Sequence, residues 1–162
     1  FEEIDAAARA RGVGVIASGN FSITAAMAQA AALLVAPFLP HREILDYASY
    51  GKPDAPSGTS RELAEKLDAV APNQLAMPVS DTIGWPEARG AGIAGTQVHS
   101  IRQPSFVVST EVLFGLTDER LSIRHDAGST PQPYVMGTLL AVRAASGVVG
   151  VVRGLDTLLL RH

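Results

Sequence analysis

The stretch DYASYGKPDAPSGTSRELAEKLDAV spans Asp46–Val70, and how it is divided into elements decides the fold. Its start continues REILDYASY (Arg42–Tyr50), a run rich in β-branched and aromatic residues that predicts a strand. Its end places Leu63, Ala64, Leu67 and Val70 on one apolar stripe, which predicts a helix. Thr59-Ser60-Arg61-Glu62 matches the S/T-x-x-E capping box, so that helix is expected to start at Thr59. The first-turn N–H groups of a helix have no intrahelical partner, and the helix dipole makes that end electropositive. Pro56 stiffens the approach, Gly58 admits a ligand close to the backbone, and Ser57 and Thr59 add hydroxyls. Such a loop suits a carboxylate or phosphate. On the capping pattern alone a solvated helix start is the simpler reading. Lys52 on the same loop shifts the balance, because a lysine beside an anion pocket is a charge partner or a general acid.

Toward the N-terminus, EEIDAAARAR (residues 2–11) has helix-forming composition and stops at Gly12. GVGVIAS (Gly12–Ser18) reads as a buried strand, and after GNFS (Gly19–Ser22) a long Ala/Leu helix runs to about Val35, with Ser22 as its cap. Pro37 and Pro40 end it. Toward the C-terminus, Ala71–Gly95 is irregular and rich in Gly and Pro, a kind of loop more often functional or mobile than structural. TQVHSIR (Thr96–Arg102), SFVVSTEVLFG (Ser105–Gly115) and RLSIRHD (Arg120–Asp126) read as strands, with Asp118 supplying turn chemistry between the last two. A helix over roughly Tyr134–Ala145 and the segment GLDTLLL (Gly154–Leu160) close the chain. The expected fold class is α+β, a mixed sheet with helices on one face and the other face available to a partner subunit.

The 162 residues fit one domain, and 47 % hydrophobic with 18 % charged residues is the balance of a globular protein. A net charge of −3 gives no basic field for nucleic acid or anionic lipid. The most apolar segment, Ala25–Leu39, is broken by Gln29 and Pro37 and falls short of the ~20 residues of a membrane span. Cysteine is absent, which excludes disulfides, thiol nucleophiles and thiolate metal sites. No metal site is expected: His99 and His125 read as packed or interfacial strand residues without metal-ligand spacing. Trp85 and Arg89 read as loop anchors, with Arg89 at the substrate site as the weaker alternative.

KPDAPSGT (Lys52–Thr59) resembles the K-x-D-A-P-S-G-T signature of the 4-hydroxy-tetrahydrodipicolinate reductase (dihydrodipicolinate reductase) family of the diaminopimelate route to lysine. GNFS is similar to the family's A/G-N-F-S element at the junction of its two domains. RGAGIAGTQVHSIR (Arg89–Arg102), EVLFG (Glu111–Gly115), RLSIRHD and Gly137–Leu159 add to the likeness, which covers nearly the whole chain in order. The resemblance implies that Lys52 is the proton donor and that Ser57, Gly58 and Thr59 hold a substrate carboxylate. It implies that Gly19, Asn20 and Phe21 approach the nicotinamide of NADPH or NADH. It further implies a small dicarboxylate-type substrate, a homotetramer or homodimer formed through the sheet, and a cytoplasmic location. Residues 1–19 then look like the last helix and strand of a nucleotide-binding (Rossmann) domain, and 20–162 like the substrate-binding and oligomerisation domain. No G-x-G-x-x-G fingerprint occurs, so the chain is expected to be the C-terminal part of a longer protein, inactive alone.

Two features depart from the family pattern. Where E-x-H-H-x-x-K places adjacent histidines before the lysine, Ala48 and Ser49 stand here, with Asp46 at the acidic position. His41, His99, His125 and His162 all lie outside that loop. Tyr47 and Tyr50 are candidate replacement donors, with packing the simpler role. AGSTPQPY (Ala127–Tyr134) lacks the arginine that the family carries near its cofactor. These substitutions leave two further readings open: a related reductase with another imine or keto-acid substrate, or a non-catalytic member used for assembly.

Overall fold

The computed structural model describes residues 1–160; His162 lies outside them. The chain divides into two compact units, one formed by Phe1–Met27 with residues from Thr130 onward and one by Ala28–Ser129.

In the first unit, α1 (Glu2–Arg11) ends at Gly12, whose left-handed φ of 64° lets its N–H turn back to the last carbonyls of the helix. Strand β1 (Gly14–Ala17) pairs in parallel with β7 (Gly150–Arg153), with Gly14 opposite Gly150 and Ala17 opposite Arg153. β7 was not foreseen in GVVR, whose four residues have no period of their own. Helix α4 (Gln132–Ala145) packs against β1, and α5 (Leu155–Leu159) follows β7. Close approach in this unit is set by glycine. A Cβ on Gly14 would lie 2.2 Å from the Ala145 carbonyl oxygen, and one on Gly137 only 1.9 Å from that of Phe21.

Helix α2 (Ile23–Val35) starts at Ser22, whose carbonyl oxygen accepts the Ala26 N–H at 3.0 Å and whose hydroxyl lies 3.4 Å from the Ala25 nitrogen. Its later residues belong to the second unit, a five-stranded mixed sheet of order β3-β4-β2-β5-β6. Its strands are β2 (His41–Ala48), β3 (Ala91–Ile93), β4 (Thr96–Arg102), β5 (Val108–Leu116) and β6 (Glu119–Ala127). β2 runs parallel to β4 and antiparallel to β5. Burial along β2 alternates strictly, sending Arg42, Ile44, Asp46 and Ala48 to one face and His41, Glu43, Leu45 and Tyr47 to the other. Helix α3 (Gly58–Val70) covers the first of these faces. Leu63, Ala64 and Leu67 pack with Ala32 of α2 and Ala36 just beyond it on Ile44, Val98, Val112 and Phe114 of the sheet. The expected α+β class with helices on one face of a mixed sheet is thus what the chain adopts. Val70, expected in the stripe, is 48 % exposed at the end of its helix.

The opposite face carries charged and polar chains. Glu43 meets His99 at 2.7 Å and Arg89 at 3.1 Å, so Arg89 is an anchor of its loop to the sheet. Arg124 forks onto Asp126, lies over the Tyr47 ring at 5.0 Å and stands 3.6 Å from Glu111. Tyr47 packs on Phe106. The irregular segment contains two short 3-10 turns, at Val79–Asp81 and Pro86–Arg89, and the strand β3, whose three residues AGI gave no pattern to read. Trp85, expected as a loop anchor, is instead 80 % exposed beside the fully exposed Ile83. The β5–β6 turn rests on Asp118 at φ 62°, a conformation that aspartate tolerates better than branched residues do.

Candidate functional site: a strand-end loop organised by a buried carboxylate

Asp46 sits on β2 with no exposed surface, facing the helix side of the sheet. Eleven residues later the chain returns, and Ser57 donates to this carboxylate twice, from its N–H at 2.9 Å and its hydroxyl at 2.5 Å. Ser60 Oγ at 2.9 Å, Ser100 Oγ at 3.1 Å and Arg102 Nη2 at 2.8 Å complete the shell. Burial by itself pushes the Asp46 carboxyl up. The Ser57 hydroxyl, the Arg102 guanidinium, the Ser57 N–H and the Ser60 hydroxyl outweigh it and hold the group below the usual carboxylate range.

This arrangement corrects the start of α3. Its N-cap is Ser57, whose hydroxyl accepts the Ser60 N–H, rather than Thr59. Ser57 and Thr59 both carry a hydroxyl suited to an N-cap, and the chain uses the one that also reaches Asp46. Glu62, the box's acidic member, is instead buried on the helix and accepts from Gln29 at 3.2 Å. The Ser57 N–H and hydroxyl, which the resemblance assigned to a substrate carboxylate, are thus both engaged by an internal anion. Gly58 and Thr59, the next two residues, form the first turn and are half-buried.

Lys52 leaves a turn in which its N–H donates to the Ser49 carbonyl at 3.0 Å. Its ammonium meets the Asp54 carboxylate at 2.7 Å, with the lysine side chain 30 % exposed. The Lys52 ammonium in turn holds the Asp54 carboxyl below its usual range. Arg102 connects the sheet to this loop, donating from Nη2 to the Asp54 carbonyl at 2.6 Å and from Nη1 to the Asp46 carbonyl at 3.2 Å. The roles of Ser60, Ser100, Arg102 and Asp54 were not read from the sequence. The one available signal was the S-x-R spacing of Ser100 and Arg102, which puts both on one face of β4. Ala48, two residues beyond Asp46 on the same face, is fully buried, and Ser49 spends its N–H on the Val107 carbonyl. Tyr50 is 75 % exposed at the corner of the turn, so packing does not hold it.

In the first unit, Gly19, Asn20 and Phe21 form a tight turn just past the C-terminal end of β1. Ser18 Oγ donates to the Asn20 carbonyl at 2.8 Å, and Asn20 Oδ1 accepts the Ser22 N–H at 2.8 Å. Ser18 Oγ also lies 3.3 Å from the Leu155 nitrogen, which ties the turn to the start of α5. Gly19 is exposed. Open parallel sheets carry their ligands beyond the carboxyl ends of strands, which is where this turn lies.

The lysine, the helix start and the sheet that fixes them thus lie on one loop of an α+β domain. The chain belongs to the family described as dihydrodipicolinate reductase, C-terminus, whose model matches residues 20–159. It is 35 % identical over 158 residues to a 4-hydroxy-tetrahydrodipicolinate reductase of Carboxydothermus hydrogenoformans, covering 98 % of this chain and 59 % of that protein. It is 36 % identical over 159 residues to the protein of that name in Mycolicibacterium smegmatis, covering 98 % of this chain and 64 % of that one. A solved structure, dipicolinate-bound dihydrodipicolinate reductase from Paenisporosarcina sp. TG-14, superposes with a TM-score of 0.77 at 28 % identity, over 96 % of this chain and 58 % of that one. The chain thus spans about six tenths of the length of these relatives.

Proposed function

We propose that the chain is the substrate-binding and oligomerisation part of an NAD(P)H-dependent reductase acting on 4-hydroxy-tetrahydrodipicolinate in lysine biosynthesis. The observation that carries this reading is the Lys52–Thr59 loop, which sets an ammonium and a helix start on one strand end pinned by Asp46. Lys52 is the proton donor. Gly58 and Thr59 hold a substrate carboxylate through first-turn N–H groups and the Thr59 hydroxyl, and Ser57 fixes that turn through Asp46. Gly19, Asn20 and Phe21 approach the nicotinamide, and the exposed glycine beyond β1 suits a planar ring.

On this reading 4-hydroxy-tetrahydrodipicolinate loses its 4-hydroxyl as water to give the conjugated imine, and NADH or NADPH, when bound, would supply a hydride to one carbon of its C=C bond. Lys52 gives a proton to the neighbouring carbon, becomes the neutral amine, and regains its proton from solvent. Residues 1–19 are the end of a nucleotide-binding domain on this reading, and 20–162 the substrate domain. The assembly is a homotetramer or homodimer joined through the polar sheet face, and its setting is the cytoplasm. Among the described residues no helix is long and apolar enough to cross a membrane.

The test is cofactor oxidation by the full-length protein with 4-hydroxy-tetrahydrodipicolinate made in situ. Lys52→Ala should lower kcat by about 100-fold or more, the scale of a lost general acid. Equal turnover by wild type and variant would remove Lys52 from the chemistry. A second reading is favoured by Ala48, whose buried methyl stands where the family pattern has an imidazole. Oxidation of cofactor only with a different cyclic imine or a keto acid would establish it. Full-length protein that binds neither cofactor would instead mark an assembly role.

A further inference from the structure

The proposed function gives Lys52 a task but leaves Asp54 without one. Its carboxylate is 48 % exposed and sits 2.7 Å from the Lys52 ammonium. An ordinary surface pair would bring together two mobile side chains. This one differs, because the backbone of Asp54 is held from the sheet by Arg102, 2.6 Å from its carbonyl oxygen. Arg102 is itself fixed by Asp46, which has no exposed surface. A continuous run of contacts therefore leads from the buried strand to the lysine, through Asp46, Arg102, the Asp54 carbonyl and the Asp54 carboxylate.

We infer that Asp54 is a positioning residue for Lys52, and that Arg102 fixes Asp54 from the sheet so that the ammonium is held at one place above the helix start. The inference rests on the reading of Lys52 as the proton donor. A lysine side chain has four rotatable bonds, so an unrestrained ammonium spends little time at a reacting carbon, and restraint appears in turnover rather than in substrate affinity.

The test uses the full-length protein with Asp54→Asn, Asp54→Glu and Arg102→Lys. Asp54→Asn is expected to lower kcat at least tenfold while the affinity for dipicolinate, measured calorimetrically, stays within threefold. Asp54→Glu should recover part of the loss. Arg102→Lys keeps a charge for Asp46 but loses the forked reach to Asp54, and should lower kcat in the same sense. Unchanged kcat in Asp54→Asn overturns the inference, as does a parallel loss of kcat and dipicolinate affinity. A readout independent of turnover uses carbon-13 dimethylation of the lysines, with the Lys52 signal assigned by its loss in Lys52→Arg. That signal should move to the free-lysine position in Asp54→Asn, and an unmoved signal also overturns the inference. If wild type fails to reduce the imine, the reductase reading falls, and the methyl signal alone decides whether Asp54 holds Lys52.

Discussion

A carboxylate with no exposed surface needs its charge answered from within, and Asp46 is answered by three hydroxyls, one N–H and one guanidinium. Removing one partner of a buried ion pair commonly costs about 3–5 kcal/mol, because the other charge stays buried. Asp46→Asn, which keeps the shape and loses the charge, should therefore lower stability by a few kcal/mol on that scale and should loosen the 52–57 loop. Its pH dependence has a definite sign. The folded carboxyl lies below its unfolded value of about 3.9, so its contribution is fully present above that value and is lost as pH falls through the folded pKa. Thermal unfolding measured from neutral pH to about pH 3 should show a shallower acid decline in Asp46→Asn than in wild type. Equal declines would place the acid sensitivity elsewhere. The sequence marked Asp46 only as the acidic member of a family pattern. Its donors lie 11, 14, 54 and 56 positions away, and no local pattern reports partners at that range.

At the scale of elements, most of the architecture was legible because each element carries its own period or stop signal. α1 ends at its glycine, α2 begins at Ser22, and β4 begins and ends where TQVHSIR does. Elements that need a partner to exist were not legible. β3 and β7 have three and four residues, and each is a strand only because β4 and β1 lie beside it. The shift of the α3 cap from Thr59 to Ser57 has the same origin, since the distant Asp46 carboxylate engages the Ser57 hydroxyl and overrides the local capping box at Thr59. Helix α4 offers a test in which propensity and packing have opposite signs. Replacing glycine by alanine inside a helix should stabilise by about 1 kcal/mol. At Gly137 the new methyl would stand 1.9 Å from the Phe21 carbonyl oxygen and 2.7 Å from Leu155 Cδ2. Overpacking of that kind costs about 1–3 kcal/mol or more. Gly137→Ala should therefore lower the unfolding midpoint in denaturant, and a raised midpoint would show that α4 and the GNFS turn move apart freely.

For the molecule as a whole, the sheet has one face filled with apolar side chains and one carrying Glu43, His99, Tyr47, Glu111 and Arg124 around half-buried Leu45 and Leu113. An apolar centre ringed by paired charges is the anatomy of a protein–protein interface. Full-length protein should sediment as a dimer or tetramer at micromolar concentration, and Leu45→Glu, placing a charge in that centre, should shift it to smaller species. A wild-type monomer, or an assembly indifferent to Leu45→Glu, would move the interface off the sheet. The pairing of β1 with β7 bears on how the chain is made. Residues 28–129 form a continuous unit whose partners are all present once Ser129 has been synthesised. The other unit joins its first segment to its last, with the Val151 N–H on the Asp5 carboxylate across 146 positions. Domains fold as units while the chain emerges from the ribosome. α1 and β1, made before residues 28–129, therefore gain their last strand partner only when Gly150–Arg153 arrives, so a segment that precedes that unit in the chain completes its pairing after it.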